Sequence, residues 1–410
     1  MKEELDSLNI LAPTSAKPKV EYLTRELYMQ AGRRFDRRQL LGMGALAIIA
    51  AACGGTTTSG GGGGGTSAST GPTDTLGNRP IEDELVIFNW SDYNDPSTFS
   101  KFKDQNPGLK FNRSYYSSND ELLAKVHAGG TGYDILVPTQ NAVAQLLEEG
   151  LLMRLDMAKL PNLKNVDPAF LKPSYDPTGE YHVIKDYGIT MFFYNNKIVS
   201  EEPKNMRDFY DLLTKYEPQG RTNLLDGAEE VVPLALMALG KDANTESDDD
   251  FAEVRDFLLS IRKGVTTISS FGYIPDGIKG EIILGQGWNG DVRRIVNGRK
   301  KQGDITPVIP TEATEIWADN WVIPASAPHP VAAHAFINWV LEPSTAVTEM
   351  LYHNYPIPIP EALEQTPDEL RNDDLFNVPN EFTQNYQYVL NVNPDVVNER
   401  TKIYQEFKSA

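Results

Sequence analysis

From Glu84 onward the chain alternates between two periods. Leu85-Val86-Ile87-Phe88-Asn89-Trp90 is a short apolar run closing on polar residues, which predicts a strand. Pro96 suits the first turn of a helix, and Pro107-Gly108 stops that helix after Asn106. Residues 110–115 read as a strand, and Asn119-Asp120-Glu121 opens a helix that ends at Gly129-Gly130. Tyr133-Asp134-Ile135-Leu136-Val137-Pro138 reads as a buried strand before a helix to Glu149-Gly150. A βαβαβα run of this kind predicts a parallel sheet covered by helices. The pattern resumes less cleanly, with strands expected at 190–194 and 281–285 and helices at 232–239, 251–262, 331–341 and 393–408. Two α/β lobes, with a ligand cleft outside the carboxyl ends of their strands, are the economical arrangement.

The first 80 residues have a different texture. Arg37-Arg38-Gln39-Leu40-Leu41 opens an apolar stretch that ends at Ala50-Ala51-Ala52-Cys53. Basic residues, an apolar stretch and small residues at a cleavage point are the order of a secretory signal. Thirteen apolar residues fall short of the roughly 18 that span a bilayer. Arg37 and Arg38 resemble a twin-arginine export signal, and the small residues before the lone Cys53 resemble a lipobox, whose thiol receives a lipid. The alternative is a soluble cleaved product with an incidental cysteine. The Gly/Thr/Ser stretch that follows cannot bury apolar surface and predicts a flexible tether, reaching about 25 Å. The expected division is therefore 1–52 export signal, 53–80 tether, 81–188 with 320–365 as one lobe, and 189–319 with 366–410 as the other.

The formal charge of −19 argues against a nucleic-acid partner, which needs clustered Lys and Arg. It favours a cationic ligand, unless the acidic surface serves only solubility. Against that background three of the five tryptophans sit beside carboxylates: Trp90-Ser91-Asp92-Tyr93, Trp288-Asn289-Gly290-Asp291 and Glu315-Ile316-Trp317-Ala318-Asp319. Singly, each can be a core tryptophan with a capping aspartate. Jointly they suggest a site for a flexible aliphatic cation. Aromatic faces bury methylenes and attract ammonium groups by about 0.5–2 kcal/mol per contact. Carboxylates at the ends supply charge-assisted hydrogen bonds and set the length that fits.

Six segments occur in the order found in spermidine/putrescine-binding proteins of ABC importers, which the chain resembles over roughly 82–410. They are Asn89-Trp90-Ser91-Asp92-Tyr93, Tyr133 to Pro138, Leu224 to Val231, Trp288-Asn289-Gly290-Asp291, Trp317-Ala318-Asp319 and Asn354-Tyr355-Pro356. The resemblance implies a type II periplasmic-binding fold whose lobes close on the ligand by hinge motion. It implies aromatic walls from Trp90, Tyr93, Trp288, Trp317 and Tyr355, acidic ends at Glu230, Asp291 and Asp319, and Ser91, Asp92 and Thr139 nearby. No catalysis, cofactor or metal is implied. The implied partners are a polyamine, a permease with its ATPase and, through Cys53, a membrane, for a monomer in the periplasmic space or on the outer face of the cytoplasmic membrane. Two departures stand out: Thr139-Gln140-Asn141 replaces a Ser-x-Tyr that supplies an aromatic wall, and Gly227 stands where some members carry a second carboxylate.

Other readings compete. A sugar or amino-acid-like solute also uses aromatic walls, although a neutral sugar leaves three buried acids without counter-charge. Gly285-Gln286-Gly287-Trp288-Asn289-Gly290 matches the dinucleotide fingerprint G-x-G-x-x-G and would suit an exported nicotinamide-dependent oxidoreductase. Its late position and the short basic stretch after it tell against that. The five histidines show no metal-ligand spacing and are expected to be structural.

Overall fold

The computed structural model describes residues 76–410 apart from 92, 117, 130–131, 271, 380–384 and 391–392. Arg37, Arg38, Cys53 and Asp92 lie outside the described residues. β1 (Glu84–Trp90) runs parallel to β2 (Lys110–Tyr116) on one side and β3 (Ile135–Leu136) on the other. The helices α1 (Pro96–Gln105), α2 (Asn119–His127) and α3 (Gln140–Glu148) connect and cover these strands. Local signals set their ends: Asp95 accepts from the Ser97 amide ahead of α1, and Ser118 accepts from Glu121 ahead of α2. Leu85, Ile87, Leu122, Ile135 and Val143 form the first core together with Phe336 and Ile337 of the later helix α9 (Pro330–Val340). The expected strand at 133–138 pairs only at Ile135–Leu136. Asp134 is fully buried there and accepts from the amides of Val86 and His329, at 2.7 Å each.

A second sheet has the order β6 (Thr267–Ile268), β5 (Thr222–Leu224), β7 (Leu284–Trp288), β4 (Val183–Asn195) and β8 (Ile305–Val308). Around it pack α4 (Met206–Lys215), α5 (Ala228–Ala238), α6 (Asp248–Ile261), α7 (Tyr273–Lys279) and α8 (Asn289–Gly298), with a terminal helix α11 (Pro394–Ser409). Helix α10 (Pro343–His353) follows α9 on the first core. Ser247 caps α6, and three aspartates occupy its first turn, where the helix dipole favours them.

The element that organises the molecule is β4, thirteen residues long and buried at all but one position. Its first half pairs antiparallel with β9 (Ile316–Trp321), and its second half pairs with β7 and β8. Val183 and Ile184 lie in the first core, whereas Ile189, Met191, Phe192 and Phe193 lie in the other two apolar clusters. β9 extends toward β3 through bridges of Asp319 to Thr139 and Val322 to Leu136. β4 and β9 therefore cross together from one core to the other. The expected strand at 190–194 is the second half only, because Lys185-Asp186 interrupts the apolar pattern of the first. The expected lobe boundary at 365 falls short, since Leu370 and Phe376 still pack in the first core.

Candidate ligand-binding site

Asp319 lies on β9 at the crossing and is 6% exposed. Its Oδ1 accepts from the Thr139 hydroxyl and its Oδ2 from the Tyr93 hydroxyl, both at 2.7 Å. Tyr93 also bonds Asp186 of β4. Burial, reinforced by the Asp186 charge, lifts the Asp319 carboxyl to about 7. Lys185 Nζ is 2.5 Å from Asp186 Oδ2 and 3.5 Å from the centroid of the Tyr93 ring.

Tyr355 joins this corner to the next. Its ring centroid is 6.5 Å from Tyr93 and 5.0 Å from Trp317, edge-on to each. Gly290 is obligatory beneath it, because an added Cβ would come within 2.6 Å of the Tyr355 ring. Asp291, in the first turn of α8, is hydrogen-bonded by Tyr273 at 2.8 Å, and Tyr355 stands close enough to feel its charge. Burial raises its carboxyl above the ordinary range. Trp317 packs where Gly188 of β4 leaves room, and its buried indole Nε1 has no hydrogen-bond partner among the described residues.

Glu230 forms the third corner at the start of α5. Its Oε1 accepts from Trp288 Nε1 at 3.2 Å, and its buried Oε2 has no hydrogen-bond partner among the described residues. Desolvation first, and then the neighbouring Glu229, lift Glu230 to about 8. Glu315, buried just before β9, accepts from Thr190 and Gln140 at 3.3 Å each and is likewise driven well up by burial and by Glu230. Gly227 adopts φ 148°, a conformation that an L-residue rarely takes. This backbone explains why no second carboxylate stands there.

The three expected acids are thus joined by one series of contacts: Asp319 to Tyr93, Tyr93 to Tyr355, Tyr355 to Asp291, Asp291 to Tyr273, Tyr273 to Trp288 and Trp288 to Glu230. Trp90 turns partly inward, donating to the Val137 carbonyl at 2.9 Å and packing on Tyr116 at 4.5 Å. Ser91 is exposed beyond the end of β1. Lys185, Asp186 and Tyr273 were missed by sequence reasoning. The usable signal was charge inside an otherwise apolar run, as at 183–195. His353, whose Nδ1 accepts from the Tyr355 amide at 3.0 Å, is structural as well and borders the site. It stacks near Tyr355 at 5.9 Å and lies 3.5 Å from Asp186, with its ring held neutral by burial. His182, His329 and His334 make structural bonds to Asp176, Asp134 and the Pro330 carbonyl.

The glycine motif at 285–290 does not form a phosphate cradle. Gly285 and Gly287 lie within β7, where added Cβ atoms would meet the rings of Phe193 at 2.7 Å and Tyr273 at 2.9 Å. Their smallness admits aromatic packing and leaves no open turn over a helix N-terminus. A surface cleft of about 910 Å³, lined by Lys204, Val308, Asp368 and Asp373 among others, contains none of the expected site residues.

Two cores linked by crossing strands, with an aromatic and acidic site at the crossing, define a two-lobed solute-binding protein of the type II periplasmic-binding fold. The chain belongs to the bacterial extracellular solute-binding protein family, whose model matches residues 97–377. It is 30% identical over 331 residues to spermidine/putrescine-binding periplasmic protein 1 of Haemophilus influenzae, covering 80% of this chain and 89% of that protein. It is 34% identical over 272 residues to the putrescine-binding periplasmic protein PotF of Escherichia coli, covering 63% and 73%. Among solved structures it is similar to the spermidine/putrescine ABC transporter substrate-binding protein PotD of Streptococcus pneumoniae, with a TM-score of 0.70, 28% identity and coverage of 80% and 99%. The family is one of binding proteins, which removes the oxidoreductase reading.

Proposed function

We propose that this protein captures a polyamine of the putrescine or spermidine class between its lobes and delivers it to the permease of an ABC importer. The observation that carries this reading is the series of contacts joining Asp319, Asp291 and Glu230 through aromatic rings. Three carboxyls withdrawn from water are pushed toward neutrality, a cost that a multivalent ammonium ligand offsets by direct hydrogen bonds. Intervening rings suit the methylene chain between ammonium groups. A neutral sugar would leave the same acids uncompensated. The names of the relatives support the polyamine class and an exported location.

Isothermal titration of the full-length protein in detergent with putrescine, cadaverine, spermidine and spermine tests the reading, with maltose and glycine as controls. Saturable micromolar or tighter binding of a polyamine is expected, and silence with all four from a folded sample sinks it. Export by Arg37-Arg38 and lipid attachment at Cys53 complete the proposal. On detergent phase separation the protein from its host is expected in the detergent phase, and the Cys53→Ala variant in the aqueous phase.

A further inference from the structure

The Tyr93 hydroxyl sits between two carboxyl groups, bonded to Asp186 Oδ1 and to Asp319 Oδ2. A phenol has one proton to donate. It serves one of these oxygens. The other contact is a hydrogen bond only when that carboxyl carries a proton and donates it to the phenol oxygen. The Asp186–Tyr93–Asp319 chain is therefore complete with one proton beyond those of a phenol and two carboxylates.

Lys185 decides where that proton resides. It is 2% exposed, and its ammonium donates to Asp186 Oδ2 at 2.5 Å while resting on the Tyr93 ring. A cation at contact distance favours the ionised form of its own partner. Asp319 receives instead the neutral Thr139 hydroxyl on its other oxygen. Among the described residues, the other titratable groups that face the chain are His353, Tyr116, Tyr175, Tyr355, whose phenol burial holds protonated, and Glu349. His353, 3.5 Å from Asp186, is held neutral by burial, and the phenols of Tyr116 and Tyr175 are held protonated by burial. Glu349 also faces Lys185, in hydrogen bonds with Asn94 and Thr98, and burial, opposed by Lys185, lifts its carboxyl to about 7. Burial lifts the carboxyls of both Asp186 and Asp319, and Lys185 opposes that lift more strongly at Asp186.

We propose that the buried Lys185–Asp186 pair makes the Asp319 end of the cleft a proton-exchange seat, in which a ligand ammonium displaces one proton from Asp319. This rests on the polyamine reading above. In the free protein Asp186 is a carboxylate, Asp319 a carboxylic acid and Lys185 an ammonium, for a local charge of zero. On binding, the Asp319 proton leaves to solvent and an N–H of the incoming ammonium takes its place as donor to the carboxylate. One positive charge enters and one departs, so the charge of the enclosed site is unchanged. Lys185 and Asp186 are positioning residues, since they act on the ligand through Tyr93 and Asp319.

The test is titration of the full-length protein with putrescine and with spermidine near pH 6, in two buffers of different ionisation enthalpy, which counts protons released per ligand. The double variant Lys185→Met, Asp186→Leu replaces a buried ion pair with apolar residues of similar volume, an exchange that folds often tolerate. Asp186→Asn is the second variant, removing the second carboxylate with minimal change of shape. Wild type is expected to release more protons per ligand than either variant, because each variant removes the Asp186 charge that adds to burial in holding the Asp319 proton, and its affinity is expected to rise more steeply with pH below pH 7. Equal proton counts and parallel pH profiles from a folded variant overturn the proposal. Absence of saturable binding by wild type itself overturns the polyamine reading, and this inference with it.

Discussion

At the scale of single residues, the site is a set of acids kept away from water and held by hydroxyl and indole donors. Asp319 is the sharpest instance. An asparagine there keeps the Thr139 hydroxyl as a donor and can offer its own N–H to the Tyr93 oxygen, so shape and hydrogen-bond count survive. What is lost is the charge that holds an ammonium, an interaction of about 1.5–3 kcal/mol. Asp319→Asn is therefore expected to raise the putrescine Kd by about 10–100-fold while moving the thermal midpoint by only a few degrees, as read by titration and differential scanning fluorimetry. Unaltered affinity would remove Asp319 from the site. Asp176 is a contrasting acid that serves the fold. Burial opposes its ionisation, but His182 and Thr178, with the Tyr181 amide, outweigh that and hold it down at about 2. A depressed carboxyl contributes stability above its unfolded value near 4 and loses it as pH falls toward 2. Asp176→Asn should cost about 2 kcal/mol at pH 7 and flatten the acid limb of the stability profile between pH 4 and 2. A variant whose acid limb superimposes on that of wild type would deny Asp176 this role.

At the scale of elements, the crossing strands carry the burden. Asn289, at the start of α8, accepts from the Ile189 amide at 3.0 Å and donates to the Leu375 carbonyl at 2.9 Å, tying β4 to the chain that returns after α10. Gly188, one residue earlier on β4, has no room for a methyl group. A Cβ there would lie 2.3 Å from both Trp317 Cζ2 and Asn289 Oδ1. Gly188→Ala must displace the indole or bend the strand, at about 1–3 kcal/mol. Its expected signature is a lowered unfolding midpoint, a shifted tryptophan emission and polyamine affinity weakened by about tenfold or more. Native emission with native affinity would show that Trp317 does not depend on this strand for its position.

At the scale of the whole molecule, the raised carboxyls link stability to pH. Glu229, Asp319 and Glu349 are lifted to about 7 and Glu230 to about 8, chiefly by burial. Between their unfolded values near 4 and these folded values, the native state holds more protons than the unfolded chain, so their contribution falls as pH rises. The ligand-free protein should lose thermal stability from pH 5 to pH 8, and putrescine should raise the midpoint more at pH 8 than at pH 5, because it meets acids that are then ionised. An equal rise at both values counts against buried acids as the ligand's partners. The periodicity of residues 84–150, the punctuation of Pro107-Gly108 and the capping residues are local, and so the first sheet and its helices were legible in the order of the residues. So were the acids Asp291 and Asp319 and the tryptophans beside them, because each pair is adjacent in sequence. The chain order did not reveal that Lys185-Asp186, charged within an apolar run, lies buried against Tyr93, which is 93 positions from Asp186. Nor did it bring Glu315 to Glu230, or set Trp317 on Gly188. Those juxtapositions arise where β4 and β9 cross between two cores, and only tertiary packing decides which distant side chains share a space that excludes water.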